Sequence, residues 1–195
     1  LDALPDWTPV GAIALLQLQT GEMTGKGGYD STLLIPVDTL KLTPDGAFGL
    51  SQGAWFVDRH HRHHPAAKYW HAEEVLSFGF TSHYDHMWGL FRRTELGAGG
   101  ENVIVTADRM LALEDIAGGL RIESDDGQVE LFEPEVAQPC VEFTRFMTSR
   151  PDASAREVKP DRERLGNGVR GYVVGFRGPA AFDIRLGDTL SVRMA

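Results

Sequence analysis

The sequence predicts a mainly β protein of the α+β kind, a closed or nearly closed β-barrel with a few peripheral helices. Three observations predict it. Short segments rich in Val, Ile, Leu and Phe recur about every ten residues, separated by Gly, Pro, Asp or Asn clusters, a rhythm of barrels rather than bundles. Helix-like periodicity is confined to a few short stretches. No internal repeat or low-complexity linker interrupts the chain, so residues 1–195 read as one domain. At 195 residues, 42% hydrophobic and 24% charged, it has enough chain to bury a substantial core.

Taken in order, residues 1–9 hold two prolines and a lone Trp7 and read as an irregular N-terminal arm. Val10 to Leu18 reads as a buried strand, Gly21 to Gly28 as a mobile glycine loop, and Thr32 to Val37 as another strand. The glycines and Lys26 of that loop lack the Gly-Lys-Ser/Thr ending of a phosphate loop. Pro44-Asp45-Gly46 carries turn chemistry. A short strand around Lys68-Tyr69-Trp70 and a helix through Glu73, Glu74 and Leu76 are expected next. A second helix follows, capped by Thr81 or Ser82 and running towards Arg92, with His83 and His86 on one face. Beyond Gly97 the strands are Asn102–Thr106, Leu120–Ser124 and Gln128–Phe132, the last two joined hairpin-style at Asp125-Asp126-Gly127. Cys140 opens a short helix whose apolar residues include Val141, Phe143, Phe146 and Met147, and a second short helix covers Asp161 to Leu165. Strands Gly171–Phe176, Ala181–Arg185 and Thr189–Met194 close the chain.

Charge and cysteine count restrict the function. A net charge of −9, from 28 acidic and 19 basic residues, repels phosphate backbones, so no nucleic acid is expected as partner. The arginines between Arg150 and Arg170 alternate with Asp152, Glu157, Asp161 and Glu163, the pattern of a solvated, ion-paired face. No apolar run reaches the length of a membrane span, and Asp2 and Asp6 stand where a signal peptide carries positive charge, so no membrane association is expected. A single cysteine excludes an internal disulfide and fits a cytoplasmic location.

Two groups of residues carry chemistry. Cys140 follows Pro139, which lacks an N–H and directs the chain into the helix, so the thiol stands where unpaired backbone N–H groups favour a thiolate. Such a thiol suits a nucleophile, a sulfur carrier or a soft-metal ligand, and equally a small buried hydrophobe. All seven histidines lie between Trp55 and Trp88. His60, His61, His63 and His64 with Asp58, or His83 and His86, have the imidazoles to bind a divalent metal, and His60, His64, His83 and His86 are the alternative metal ligands. A polar surface of unligated imidazoles is the competing reading. Glu101 suits a general base or hydrogen-bond acceptor.

Three segments in this order resemble the MOSC domain, the module named for the C-terminal part of molybdenum-cofactor sulfurases. They are Gly100-Glu101-Asn102-Val103-Ile104-Val105, then Pro139-Cys140, then Gly168-Val169-Arg170-Gly171-Tyr172 with the later Gly187-Asp188 hairpin. Upstream, Asp58-Arg59-His60 is similar to the family's Gly-Asp-Arg/Lys-His, with Val57 in place of the glycine. The resemblance implies a pocket with Cys140 at its mouth, as persulfide carrier or as molybdenum ligand in a bound molybdenum cofactor, supporting reduction of N-hydroxylated compounds. It also implies Glu101 and Asn102 in the pocket lining, with Arg59, His60 and Arg170 facing the anionic end of a pterin. The partners implied are a small-molecule substrate and a sulfur donor or electron-transfer protein. Two alternatives stand beside it: a His-rich divalent-metal-dependent hydrolase or lyase on a MOSC scaffold, and a non-enzymatic small-molecule or sulfur-delivery module.

Overall fold

A computed structural model describes residues 7–67, 70–93 and 95–193. In chain order its strands are β1 (Trp7–Gln19), β2 (Thr24–Gly25), β3 (Gly28–Tyr29), β4 (Leu34–Pro36), β5 (Thr39–Thr43), β6 (Gly46–Ser51), β7 (Ala54–Val57), β8 (Leu76–Phe80), β9 (Val103–Val105), β10 (Leu120–Ser124), β11 (Gly127–Val136), β12 (Tyr172–Phe176), β13 (Phe182–Arg185) and β14 (Thr189–Arg193). The helices are α1 (Thr81–Phe91), α2 (Leu113–Ile116), α3 (Val141–Met147) and α4 (Lys159–Leu165). Among the described residues, no helix is long and apolar enough to cross a membrane.

Seven strands form a closed barrel in the order β14-β10-β11-β12-β8-β9-β1, with β1 pairing back to β14. β1 can close it because it is long enough to serve three partners: Trp7–Ala12 pair with β14, Ile13–Leu16 with β9, and Gln17–Gln19 with β4. The pairing is antiparallel except between β8 and β9, which α1 connects as a crossover. A four-stranded sheet, β13-β5-β6-β7, flanks the barrel. Its Leu40, Leu42, Ala47 and Ile184 join Leu16, Phe78, Phe80, Leu120 and Tyr172 in one core. Fully burying side chains such as Phe80 or Leu16 stabilises the fold by about 1.5–3 kcal/mol each. A second apolar cluster, Tyr84, Met87, Ile104, Phe143, Met147, Leu165 and Val169, seats α1, α3 and α4 on the barrel.

Several expectations are corrected. Trp7, Thr8 and Pro9 are not part of an arm but the start of β1, because the barrel needs their backbone to pair with Arg193, Val192 and Ser191; residues 1–6 lie outside the described residues. Trp7 is held between the guanidinium groups of Arg121 and Arg193, each 4.7 Å from its ring. Ser31–Leu33 form a 3-10 turn capped by Asp30, leaving only Leu34–Pro36 as strand. The helix expected through Glu73, Glu74 and Leu76 does not form. Leu76–Phe80 is instead a central barrel strand, where pairing to β9 and β12 overrides local helical preference. Of the strand expected at 68–70, Lys68 and Tyr69 lie outside the described residues, and Trp70 is not in a strand. α1 follows directly on β8, so neither Thr81 nor Ser82 caps it; their hydroxyls bond the carbonyls of Ala107 (3.4 Å) and Arg109 (2.8 Å).

The helix after the thiol forms as expected, and it ends in a Schellman motif. Ser149 N–H donates to Phe146 O (3.2 Å) and Arg150 N–H to Arg145 O (3.0 Å), with Ser149 at φ +54. That conformation suits glycine rather than serine. Ser149→Gly is expected to stabilise the protein by about 1 kcal/mol, read as a higher urea midpoint; an unchanged or lower midpoint refutes it.

Candidate functional site

The site is built where the end of β1, the loop after β7, the glycine loop before β9 and the segments flanking β12 converge. Asp58 ends β7's excursion and is 2% exposed. Its Oδ2 accepts from Gln19 N–H (2.9 Å) and Asn102 Nδ2 (2.9 Å), and its Oδ1 from His60 N–H (2.8 Å), with His60 Nδ1 3.1 Å away. Burial raises the Asp58 pKa, but the hydrogen bonds and charge of His60 and the Gln19 amide outweigh it and hold the carboxyl below its ordinary range. Asp58 thus turns Arg59 and His60 towards the site.

Asn102 ties three strands together. Its Oδ1 accepts from Ser77 N–H (3.1 Å) and Oγ (2.9 Å), and its Nδ2 also reaches Gln17 O (3.3 Å). Gln17, buried in β1, donates through Nε2 to Gly97 O (2.7 Å) and Glu101 O (2.8 Å), which pins the glycine loop. Gly99 is required there: a Cβ on it would stand 2.6 Å from Glu101 Oε1. Glu101 is 3% exposed. Its Oε2 accepts from Tyr84 Oη (2.6 Å), while Oε1 is buried with no hydrogen-bond partner among the described residues. Burial pushes the Glu101 carboxyl above its usual range, against the lowering effect of the Tyr84 hydroxyl and the Arg170 charge.

These groups surround a cavity of about 840 Å³, a volume typical of small-molecule sites. It brings together Arg59, His60, Glu101, Asn102 and Arg170. Arg59 Nε is buried with no hydrogen-bond partner among the described residues. Arg170 is more constrained: Nη1 donates to Gln138 O and Nη2 to Gly99 O, both 3.0 Å, so it straps the cysteine segment to the glycine loop.

Cys140 is not in the cavity wall, contrary to its expected place at the mouth. The wall takes Val136, Ala137 and Gln138; Pro139 then carries the chain under the surface, and the thiol caps α3, with Sγ accepting from Phe143 N–H at 3.3 Å. It is half-buried and free. The thiol therefore stands two residues along the chain from Gln138 of the wall, packed against the apolar cluster of α1, α3 and α4.

The histidines do not converge. Among the described residues there is no group of three or more His, Cys, Asp or Glu side chains arranged to hold a metal ion. His83 is a core residue, 1% exposed, with Nε2 3.1 Å from Leu111 O and its ring against Phe80 and Tyr172; His86, on the same helix, is exposed. His64 Nδ1 accepts from Ala66 N–H (3.1 Å), and His60 alone of these four lines the cavity. Of the aromatic side chains in the same region, Trp55, Phe56 and Trp88 are exposed and Tyr84 is buried.

Sequence reasoning missed Tyr84, Gln17 and Ser77. Gln17 left a trace, a polar residue inside an apolar strand run; Tyr84 and Ser77 left none, since their partners Glu101 and Asn102 lie far along the chain.

No protein-family model matches the chain, and the comparison with curated proteins gives no match. Solved structures do match. The YuaD protein from Bacillus subtilis is 16% identical, with 97% of this chain and 100% of that chain covered and a TM-score of 0.61. A hypothetical protein is 13% identical over 97% of this chain and 70% of that one, at 0.56. YiiM from Escherichia coli, a MOSC-domain protein, is 17% identical over 98% and 71%, at 0.50. The fold is MOSC-like. At these identities the likeness concerns the fold alone, and the cavity's chemistry rests on the residues that line it.

Proposed function

We propose that this chain is a MOSC-type sulfur carrier in which Cys140 holds a persulfide beside a cavity that takes a pterin-type or similarly small anionic ligand. The observation that carries the reading is the cavity itself: Arg59, His60 and Arg170 line it together with Glu101 and Asn102, and its wall runs through Gln138, two residues before the thiol of Cys140. His60 adds a further imidazole to the lining.

The thiol's place at the N-cap of α3, outside the cavity lining, favours sulfur carriage. A persulfide places its outer sulfur about 2 Å beyond Sγ, which lengthens the reach of a half-buried cysteine. In the step proposed, the Cys140 thiolate attacks the outer sulfur of a donor protein's persulfide. The donor's S–S bond breaks, a new S–S bond forms on Cys140, and the donor leaves as a thiolate with no net oxidation. Incubation with a persulfide donor followed by intact-mass measurement is expected to add one sulfur to the protein and none to a C140S variant. Equal gain in both, or none in either, sinks the reading.

A second reading, a molybdenum cofactor with Cys140 as metal ligand, draws support from the same lining. The residues fit the organic part of that group: Arg59 and His60 would hold its anionic end, and Glu101 would meet the pterin. Molybdenum, when bound, would supply two-electron redox chemistry for N-hydroxylated substrates. The fit is poorer at Cys140, which is not among the cavity-lining residues, so no step is routed through the metal. Molybdenum analysis and pterin fluorescence of the purified protein separate the readings: both present at about one per chain favours the cofactor, and both absent with sulfur gained favours the carrier.

A further inference from the structure

Among the described residues, His60 is the one histidine that is both tied to a buried carboxylate and placed in the cavity lining. Its Nδ1 lies 3.1 Å from Asp58 Oδ1, and its side chain is 59% exposed. Two guanidiniums share the lining, Arg59 and Arg170, each with a buried Nε that has no partner among the described residues. The remaining titratable groups of the lining are Glu22, His71, Glu74, Glu101 and Glu135.

The hydrogen bonds around Asp58 fix where the protons of this pair sit. Gln19 N–H and His60 N–H can only donate, to Oδ2 and Oδ1 respectively. The Asn102 amide is oriented by Ser77: its Oδ1 accepts Ser77 N–H, so the group 2.9 Å from Asp58 Oδ2 is its NH2. Both carboxylate oxygens are thereby committed as acceptors. In the neutral imidazole the proton must then sit on Nδ1, because a lone pair there would face the lone pairs of Oδ1. That leaves the lone pair on Nε2, across the ring from Asp58 and on the exposed part of a side chain that lines the cavity.

We propose that His60 is the general base of the cavity, taking a proton through Nε2 from a weakly acidic N–H or O–H of a bound heterocycle, with Asp58 the positioning residue that holds the ring in its Nδ1–H form. The substrate class follows: a heterocycle with a lactam or enol proton, whose loss leaves an anion. In the step, the ligand's N–H or O–H bond breaks, its electrons stay on the ligand, and the proton passes to Nε2. The imidazolium so formed is paired with the Asp58 carboxylate, and the ligand's new negative charge is shared with the Arg59 and Arg170 guanidiniums of the same lining. Passing the proton on to water restores the neutral ring. The proposal rests on the reading of the cavity as a pterin-type site.

The test uses free 2-amino-4-oxopteridine as probe, because loss of its lactam proton shifts its absorption band. At a pH where the free probe is mostly neutral, wild-type protein is expected to raise the ionised-to-neutral ratio of bound probe about tenfold, the worth of one charge-assisted hydrogen bond. H60Q, a change to an exposed side chain, is expected to return the ratio to that of free probe, and D58N likewise. Should D58N not fold, H60Q decides this comparison alone. Nitrogen-15 NMR of the neutral imidazoles, with His60 assigned by its loss in H60Q, reads the tautomer without ligand. Wild type is expected to carry Nδ1–H. D58N is expected to carry Nε2–H, since the new amide keeps its oxygen towards Gln19 and Asn102 and turns its NH2 to Nδ1; a purely structural role for Asp58 leaves the tautomer in place. Equal ratios in wild type and H60Q, or a wild-type ring protonated on Nε2, overturn the proposal. Should the probe bind neither wild type nor variant, the pterin-type reading falls, and carbethoxylation by diethyl pyrocarbonate then decides: His60 modified about tenfold faster than in D58N supports an accessible base at Nε2, and equal rates overturn it.

Discussion

Asp58→Ala is expected to lower folding stability by about 3–5 kcal/mol, the range for removing one member of a buried, hydrogen-bonded charge network. The carboxylate accepts from two backbone amides and one side-chain amide, and both it and the Asn102 side chain are buried, so its removal leaves the Asn102 amide short of a partner. The loss spreads, because Asn102 also holds Ser77 and Gln17, and Gln17 holds the glycine loop. Asp58→Asn keeps one acceptor and is expected to cost less. Urea unfolding of the three proteins measures the order; a loss under about 1 kcal/mol for the alanine variant would show that Asp58 is not the hub of the site. Because its folded pKa is depressed, this stabilisation is present at neutral pH and is lost only as pH falls through and below the ordinary carboxylate range.

Acid destabilisation at a higher pH is expected from His83. Burial pulls its pKa from 6.5 down to about 4, opposed by its bond to Leu111. A base with a depressed folded pKa is held neutral by the fold while the unfolded chain takes up the proton. Its contribution is therefore complete above pH 6.5, declines as pH falls towards about 4, and is lost below that. The difference corresponds to about 3 kcal/mol. His61, whose pKa burial also lowers, adds in the same direction. His83→Gln, which retains a hydrogen-bonding group without titrating, is expected to flatten the stability profile between those pH values. A variant with the wild-type slope would place the acid sensitivity elsewhere.

The histidine stretch explains how far a sequence carries such arguments. Density of one residue type is a local property, and it suggested metal. Placement is not local: α1 turns His83 into the core against Tyr172 and leaves His86 on the surface, although they are three residues apart. The misassigned helix at Glu73 to Leu76 has the same origin. Its residues favour helix in isolation, and only partners in β9 and β12 make Leu76–Phe80 a strand.

By itself the sequence determined the strand-rich fold class, most strand positions after Gly97, the helix that begins at Cys140, and the candidate residues Arg59, His60, Glu101, Asn102 and Arg170. Those features depend on residues within a few positions of one another: turn chemistry, periodicity, a proline before a thiol, short tags in a fixed order. Tertiary structure alone decided that the barrel closes through Trp7, that Tyr84 orients Glu101, and that Arg170 straps Gln138 to Gly99. Each of these is a contact between segments distant along the chain, and its geometry arises only when the barrel brings their backbones within hydrogen-bonding distance.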